Sequence, residues 1–277
     1  MTVDKIIVQA LKEDLGDGDH TSLACIPKGS KGKAKLLVKE NGIIAGIEIA
    51  RKVFEKVDAS VQFNQILKDG DEVKTGDIVF TVEGSSISLL SSERLALNFL
   101  QRMSGIATQT NKMVKLLEGL NTKLLDTRKT TPNLRLFEKM AVKIGGGENH
   151  RFGLYDMIMI KDNHVDFSGG IKQAISNSCD YLKIKNKNLN IEIEVRNFDE
   201  LNEVLTIGNI QRIMLDNFSV PELKKAVELI DGRFETEASG GITESTLRSY
   251  AETGVDFISV GALTHHIRSL DLSLKAY

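Results

Sequence analysis

The sequence predicts an α/β protein, a barrel of parallel strands preceded by a smaller antiparallel segment. Three observations predict it. After about residue 120, short apolar runs alternate with helical patterns in a repeated strand, loop, helix rhythm, which implies parallel pairing with right-handed crossovers. Before about residue 105, short alternating segments are punctuated by Gly, Asp and Asn, as in an antiparallel sheet with tight turns. Nearly every late strand also ends, at its carboxyl end, in residues suited to chemistry. A barrel gathers such ends at one mouth, whereas an open doubly wound sheet focuses them at one switch point. Periodicity alone does not separate the two architectures, but chemistry contributed by six strands favours the barrel.

In chain order, KAKLLVKE, GIIAGIEIA and DEVKTGDIVFTVEG supply the alternating segments, and a helix is expected over Glu48 to Val57. A long helix is expected from Ser91 and Ser92, which can cap it, through ERLALNFLQRM. The later strands are KLLD, MIMI, IEIEV, RIML, FETEA and FISV. Between them, NLRLFEKMAVKI and VPELKKAVELI read as helices, the second opened by Ser219 as cap with Pro221 in its first turn.

Composition excludes several function classes. The 277 residues are 41% hydrophobic and 27% charged, ordinary for a globular protein. A net charge of −2 gives no basic field for nucleic acid or an anionic membrane. Cys25 and Cys179 form no CxxC and no disulfide framework, which fits a reducing cytosol. The opening MTVDKIIVQALKEDLGDGDH is acidic with no long apolar run, so no secretion signal is expected. No run approaches a membrane span. A cytoplasmic protein is expected.

Any attraction for anions must then be local. From Asp126 to Lys161 there are seven Lys/Arg plus His150, against four acids. Arg128 and Lys129 directly follow a strand and offer a planar fork and a point charge. Lys139 and Lys143 lie on a helical pattern and read as its wet face. Gly145–Gly147 permit close backbone approach before His150 and Arg151. Lys161 ends MIMI, where burying it is costly without an anion. His164 lies in no HExxH or similar spacing, so zinc is not expected.

Glu192 and Glu194 lie two apart and face one side of a strand, and Asp216 ends RIML. Such carboxylates can hold Mg²⁺, bind sugar hydroxyls or stabilise a developing carbocation. Ser239–Gly241 precede a helix expected near Thr243, and Gly261–Leu263 precede another. Glycine loops leading into helices bind phosphate through free N–H groups, and the last strands of barrels favour phosphate.

The run DTRKTTPNLRLFEKMAVKIGGGENHRFGLYDMIMIKDNHV resembles the signature of the quinolinate phosphoribosyltransferases, the carboxylating nicotinate-nucleotide pyrophosphorylases. So do EDLGDGDHTS, ERLALNFLQRMSGIAT, IEIEV, IMLDNF, EASGG and GVDFISVGALTH. The resemblance covers essentially the whole chain. It implies an N-terminal α/β sandwich domain over residues 1–105, rejoined by about 268–277. It also implies an incomplete, open α/β barrel of TIM-like type with about seven strands over 106–267. It further implies a homodimer or higher assembly with sites shared between subunits, acting on quinolinate and phosphoribosyl pyrophosphate with Mg²⁺.

By the same resemblance, Arg128, His150, Arg151 and Lys161 would bind quinolinate, with Arg94 reaching in from the other subunit. Lys129 would meet phosphoribosyl pyrophosphate. Glu194 and Asp216 would serve the Mg²⁺ and ribose side, Glu192 being the competitor of Glu194. Ser239, Gly240, Gly241, Gly261 and His265 would surround the 5-phosphate. Three departures stand out: Asn133 where glycine is common, His266 where serine is usual, and a longer KIKNKNLN before IEIEV. Two other readings remain at this point. One is a related phosphoribosyltransferase-like barrel of different substrate, which retention of both NHR and KDNH disfavours. The other is a lipoyl- or biotinyl-like carrier suggested by LKDGDEVKTGDIVFTVEG, which lacks a lysine displayed in an MKM-like setting.

Overall fold

The computed structural model describes residues 2–277. The chain opens with helices α1 (Val3–Leu15) and α2 (His20–Cys25). Strands β1 (Lys31–Val38) and β2 (Gly42–Ile43), helix α3 (Ile47–Val57), and strands β3 (Gln62–Gln65), β4 (Glu72–Val73) and β5 (Ile78–Ser85) follow. Helix α4 runs from Ser86 to Lys115. The rest is β6 (Lys123–Leu125), α5 (Arg135–Ile144), β7 (Ile158–Ile160), α6 (Asp162–Ser168), α7 (Ile171–Ile184), β8 (Ile191–Val195) and α8 (Phe198–Ile207). After these come β9 (Arg212–Asp216), α9 (Val220–Ile230), β10 (Glu235–Ser239), α10 (Leu247–Ala251), β11 (Phe257–Ser259), α11 (Ala262–His265) and β12 (Leu272–Ala276).

The chain forms two compact units. Among the described residues, the first comprises 2–111, 130–146 and 262–277. Its antiparallel sheet has the order β12-β1-β5-β3, with Ala34 opposite Ala276 and Ala34 opposite Val82. Phe80 and Val82 are buried on one face of β5 and Val79 on the other, as strand alternation requires. The rings of Phe54, Phe63 and Phe80 pack together beneath it. The Asp19 carboxylate caps α2 through the Ser22 amide and also accepts from Ser91 of α4.

The second unit comprises residues 112–129 and 147–261. Its six strands are the six expected from the sequence, in the order β6-β11-β10-β9-β8-β7, and every pair is parallel. From β7 each strand adds beside its predecessor in one direction until β6, first in sequence, closes the series beside β11. A doubly wound sheet would reverse direction at a switch point; this one does not, and it is the winding of a barrel left open. The seventh position is a single residue. Glu148 forms an isolated parallel bridge with Leu125, its amide donating to the Leu124 carbonyl and its carbonyl accepting from Asp126. It is too short to carry a periodic signal.

Two helix starts differ from expectation. Helix α4 begins at Ser86, not Ser91, and Ser92 lies inside it with its hydroxyl donating to the Ser88 carbonyl. The helix after Ser239–Gly241 begins at Leu247, because hydroxyls of Thr243, Ser245 and Thr246 bond among themselves and hold a turn instead. Lys139 is also not on the wet face of α5 as expected but buried within the first unit, whereas the signals around α9 and at Asn133 are realised as written. Ser219 and Glu222 form a capping box with Pro221 in the first turn of α9, and Asn133 takes the left-handed φ of 65°.

Candidate active site

Strand alternation sorts the second sheet's faces. On one face lie Ile191, Ile193 and Val195 of β8, Ile213 and Leu215 of β9, and Ala238 of β10, all buried and apolar. On the other lie Glu192 and Glu194, Arg212, Met214 and Asp216, Glu235, Glu237 and Ser239, in register across the three strands. The period of two that makes a strand amphipathic therefore puts charge on one face of a parallel sheet, where an apolar run is usual.

These groups form two layers. The deeper holds Glu192, Glu237, Arg212 and His150. The His150 Nε2 lies 3.0 Å from a Glu192 carboxylate oxygen and 3.4 Å from one of Glu237. Arg212 reaches the same Glu237 oxygen from 3.1 Å, and its guanidinium stacks over the Phe257 ring at 4.0 Å. Glu192 and Glu237 have no exposed surface. Burial and the neighbouring Glu237 push the Glu192 carboxyl up. Burial would do the same to Glu237, but His150 and Arg212 outweigh it and hold Glu237 below its usual range.

His150 feels opposing pulls. Burial lowers the ring's pKa, while the two carboxylates raise it, to about 9 in balance. Its Nδ1, however, accepts the Arg151 amide at 2.7 Å. A second ring proton at Nδ1 would set two donors face to face, so that bond opposes full protonation. With the bond made, the ring proton sits at Nε2, between the carboxylates. Asp126, fully buried at the end of β6, fixes the same residue from behind by accepting the His150 amide at 2.8 Å.

The upper layer carries the residues expected from the sequence. Lys161 follows β7 and pairs with Glu194 of β8. Arg151 lies close enough to Arg128 that burial, and then the Arg128 charge, lower its pKa. Its Nη1 donates to the Met157 carbonyl at 3.3 Å. Arg128 and Lys129 are exposed on the loop after β6. Asp216 ends β9 and accepts from Ser239, which ends β10, and from Asn217 at 2.6 Å. Gly240 and Gly241 follow with φ of 95° and 59°, and Gly261 follows β11. The helices beyond these loops have five and four residues, so any phosphate cradle here relies on backbone N–H groups more than on a helix dipole.

Glu192 and Glu194 both sit on the charged face, but Glu192 is in the deep layer with His150 and Glu194 is in the upper one with Lys161. The first unit holds the two remaining candidates. Arg94 is exposed on α4, and His265 ends α11 with its ring against His266. Sequence reasoning did not single out Glu237, Arg212, Asp126 or Asn217. The alternation in FETEA carried a signal for Glu237, because it places that carboxylate on the same face as Ser239.

The chain matches one family in two parts: Quinolinate phosphoribosyl transferase, N-terminal domain, over residues 19–104, and C-terminal domain over residues 106–275. The chain belongs to the quinolinate phosphoribosyltransferase family. It is 47% identical to a chloroplastic nicotinate-nucleotide pyrophosphorylase [carboxylating] of Arabidopsis thaliana, over 98% of this chain and 81% of that protein. It is 42% identical to a probable nicotinate-nucleotide pyrophosphorylase [carboxylating] of Bacillus subtilis, over 98% of this chain and 92% of that one. The crystal structure of NadC from Streptococcus pyogenes superposes with a TM-score of 0.94 at 42% identity, covering 99% and 95% of the two chains. Membership in the quinolinate phosphoribosyltransferase family makes the chain a transferase. No helix among the described residues is long and apolar enough to cross a membrane.

Proposed function

We propose that the chain transfers the phosphoribosyl group of phosphoribosyl pyrophosphate to quinolinate, giving nicotinate mononucleotide, pyrophosphate and CO₂ for NAD synthesis. One observation carries the reading. Two guanidiniums, Arg128 and Arg151, stand near enough that the Arg128 charge disfavours that of the half-buried Arg151, with Lys161 at the end of β7. Crowded cations are costly unless an anion joins them, and a small aromatic dicarboxylate supplies two negative groups at fixed separation.

In this reading Arg128, His150, Arg151 and Lys161 hold the dianion and aim its ring nitrogen at C1 of the ribose, which supplies proximity. The nitrogen–carbon bond forms as the bond from C1 to pyrophosphate breaks. The 2-carboxylate then leaves as CO₂. Glu194 and Asp216 face the positive charge that develops on the ribose. Lys129 meets the pyrophosphate, and Ser239, Gly240, Gly241, Gly261 and His265 cradle the 5-phosphate. The donor set of Glu194 and Asp216 fits Mg²⁺, which takes one or two carboxylates plus substrate oxygens. When bound, Mg²⁺ neutralises charge on the departing pyrophosphate. We assign a homodimer in which Arg94 serves the partner's site, and a cytoplasmic location. The test is direct: quinolinate, phosphoribosyl pyrophosphate and Mg²⁺ with the purified chain, following CO₂ release. No release above the enzyme-free rate would sink the reading.

A further inference from the structure

Arg102 of α4 and Glu138 of α5 form an ion pair that the proposed reaction does not use directly. The Glu138 side chain is 1% exposed, and a buried carboxylate is costly unless it is paired and hydrogen-bonded. Both of its oxygens are. One accepts from the Arg102 Nη2 at 2.8 Å and Nε at 3.2 Å. The other accepts the Thr131 amide at 3.0 Å. The same Nη2 donates to the Thr264 carbonyl at 2.7 Å and, more weakly, to the Thr131 hydroxyl at 3.3 Å. Replacing a buried ion pair by well-packed apolar residues is often neutral or stabilising, so stability alone does not explain this one.

The main-chain groups it grips suggest its purpose. Thr131 follows Lys129 by two residues on the loop after β6. The Thr264 carbonyl belongs to the same peptide group as the His265 nitrogen. A bond to that carbonyl therefore fixes the plane from which the His265 side chain departs. Arg135 lies three residues before Glu138, on the same side of α5, and its Nε donates to the Thr130 hydroxyl at 2.9 Å. Arg128 lies upstream of these holds, in a local turn closed by the Lys129 amide on the Thr127 hydroxyl at 3.1 Å. We propose that Arg102 and Glu138 are positioning residues for phosphoribosyl pyrophosphate, acting through the main chain at Thr131 and Thr264 on Lys129 and His265. The guanidinium ties the two segments to one point, and the carboxylate holds both the guanidinium and the Thr131 amide. The inference rests on the assignment of Lys129 and His265 to phosphoribosyl pyrophosphate in the proposed function.

The double variant Arg102→Met/Glu138→Leu removes the pair without leaving a buried charge alone. It should keep a melting temperature near that of wild type, while the KM for phosphoribosyl pyrophosphate rises about tenfold, the scale of small misplacements of a binding group. The Kd of quinolinate for the free enzyme should change less than about twofold, because the Thr127 turn still holds the chain around Arg128. Arg102→Lys keeps the charge but loses the planar fork, so it should raise the same KM by a smaller factor, and it serves as the test if the double variant does not fold. A second readout needs no turnover. Glutamine at 138 has one acceptor oxygen where the carboxylate has two, so hydrogen exchange of the Thr131 amide should speed up in ligand-free Glu138→Gln. A wild-type KM for phosphoribosyl pyrophosphate in the folded variant overturns the proposal. So does a quinolinate Kd that weakens as much as that KM rises, or an unchanged Thr131 exchange rate. If the wild-type chain turns over no quinolinate, the functional reading fails instead, and the exchange measurement still decides whether Glu138 holds the loop.

Discussion

Lys161 and Glu194 form an ion pair across the adjacent strands β7 and β8. One is a candidate for the dicarboxylate and the other for the ribose, so the two candidate subsites share a contact. The Glu194 side chain is 9% exposed and the Lys161 side chain 43%. The lysine can therefore turn towards a ligand at the mouth far more readily than the glutamate can.

Arg128→Ala and Lys161→Ala should each weaken quinolinate binding severely. Removing one partner of a desolvated charge pair costs on the order of 2–5 kcal/mol, or roughly 30- to several-thousand-fold. Calorimetric titration of the folded variants measures it. Near-wild-type affinity in either variant removes that residue from the site.

Glu194→Gln and Asp216→Ala should slow turnover while quinolinate still binds the free enzyme. Glu194→Gln releases Lys161 from its ionic partner, so quinolinate affinity should hold or increase. If both variants lose quinolinate as strongly as Arg128→Ala, the division of labour between the two subsites is wrong.

Arg94→Ala and Lys161→Ala, each inactive alone, should complement when mixed and allowed to exchange subunits. In a two-fold dimer with Arg94 acting across the interface, a heterodimer carries one doubly damaged site and one intact site. Activity should return to about half of wild type per heterodimer, by counting sites. Exchange verified by mass without recovered activity would place Arg94 in its own chain's site or in none.

Asp19→Ala should lower stability by about 1 kcal/mol, the usual cost of losing a helix N-cap. The Ser22 hydroxyl and amide hold the Asp19 carboxyl below its ordinary 3.8, with Ser91 adding to this. A carboxyl lowered on folding contributes stability above its unfolded pKa, and loses it as pH falls through the lower folded value. The gap in thermal midpoint between wild type and Asp19→Ala should therefore be constant near neutrality and shrink below about pH 4. A gap that persists undiminished in acid would assign the loss to packing.

Gly240→Ala should disrupt the loop after β10. Its φ is 95°, and a Cβ there would stand 2.2 Å from the Asn217 side-chain oxygen and 2.9 Å from its backbone nitrogen. Left-handed backbone costs a residue with a Cβ roughly 1–2 kcal/mol before any clash. A lowered melting temperature is expected, with a raised KM for phosphoribosyl pyrophosphate in whatever remains folded. Wild-type values for both would take the loop out of the site.

The six parallel strands were legible because each is a short apolar or alternating run bounded by turn residues, and α9 because Ser219, Pro221 and Glu222 write its start in adjacent letters. Most of what escaped the sequence depends on partners far along the chain. Glu148 pairs through one residue, below any period. The Ser92 hydroxyl finds its partner at Ser88 within the helix, although Ser, Ser, Glu, Arg reads like a cap. His150 reads as an open donor next to Arg151. Only the meeting of β8, β9 and β10 reveals that Glu192, Glu237 and Arg212 surround its tip.

The strand order β12-β1-β5-β3 also bears on synthesis. Strand β1 finds one neighbour, β5, within about fifty residues, but its other neighbour, β12, is translated only after the entire parallel sheet. At the usual ribosomal pace of ~5–20 residues per second, one edge of β1 stays unpaired for roughly ten seconds or more. During that interval it presents open amides and carbonyls to any other strand nearby. Lys31, Lys33 and Lys35 lie along β1, and lysines on an open strand discourage pairing with a second chain. The basic character of β1 thus reads as protection of a nascent chain until Leu272–Ala276 arrive to close the sheet.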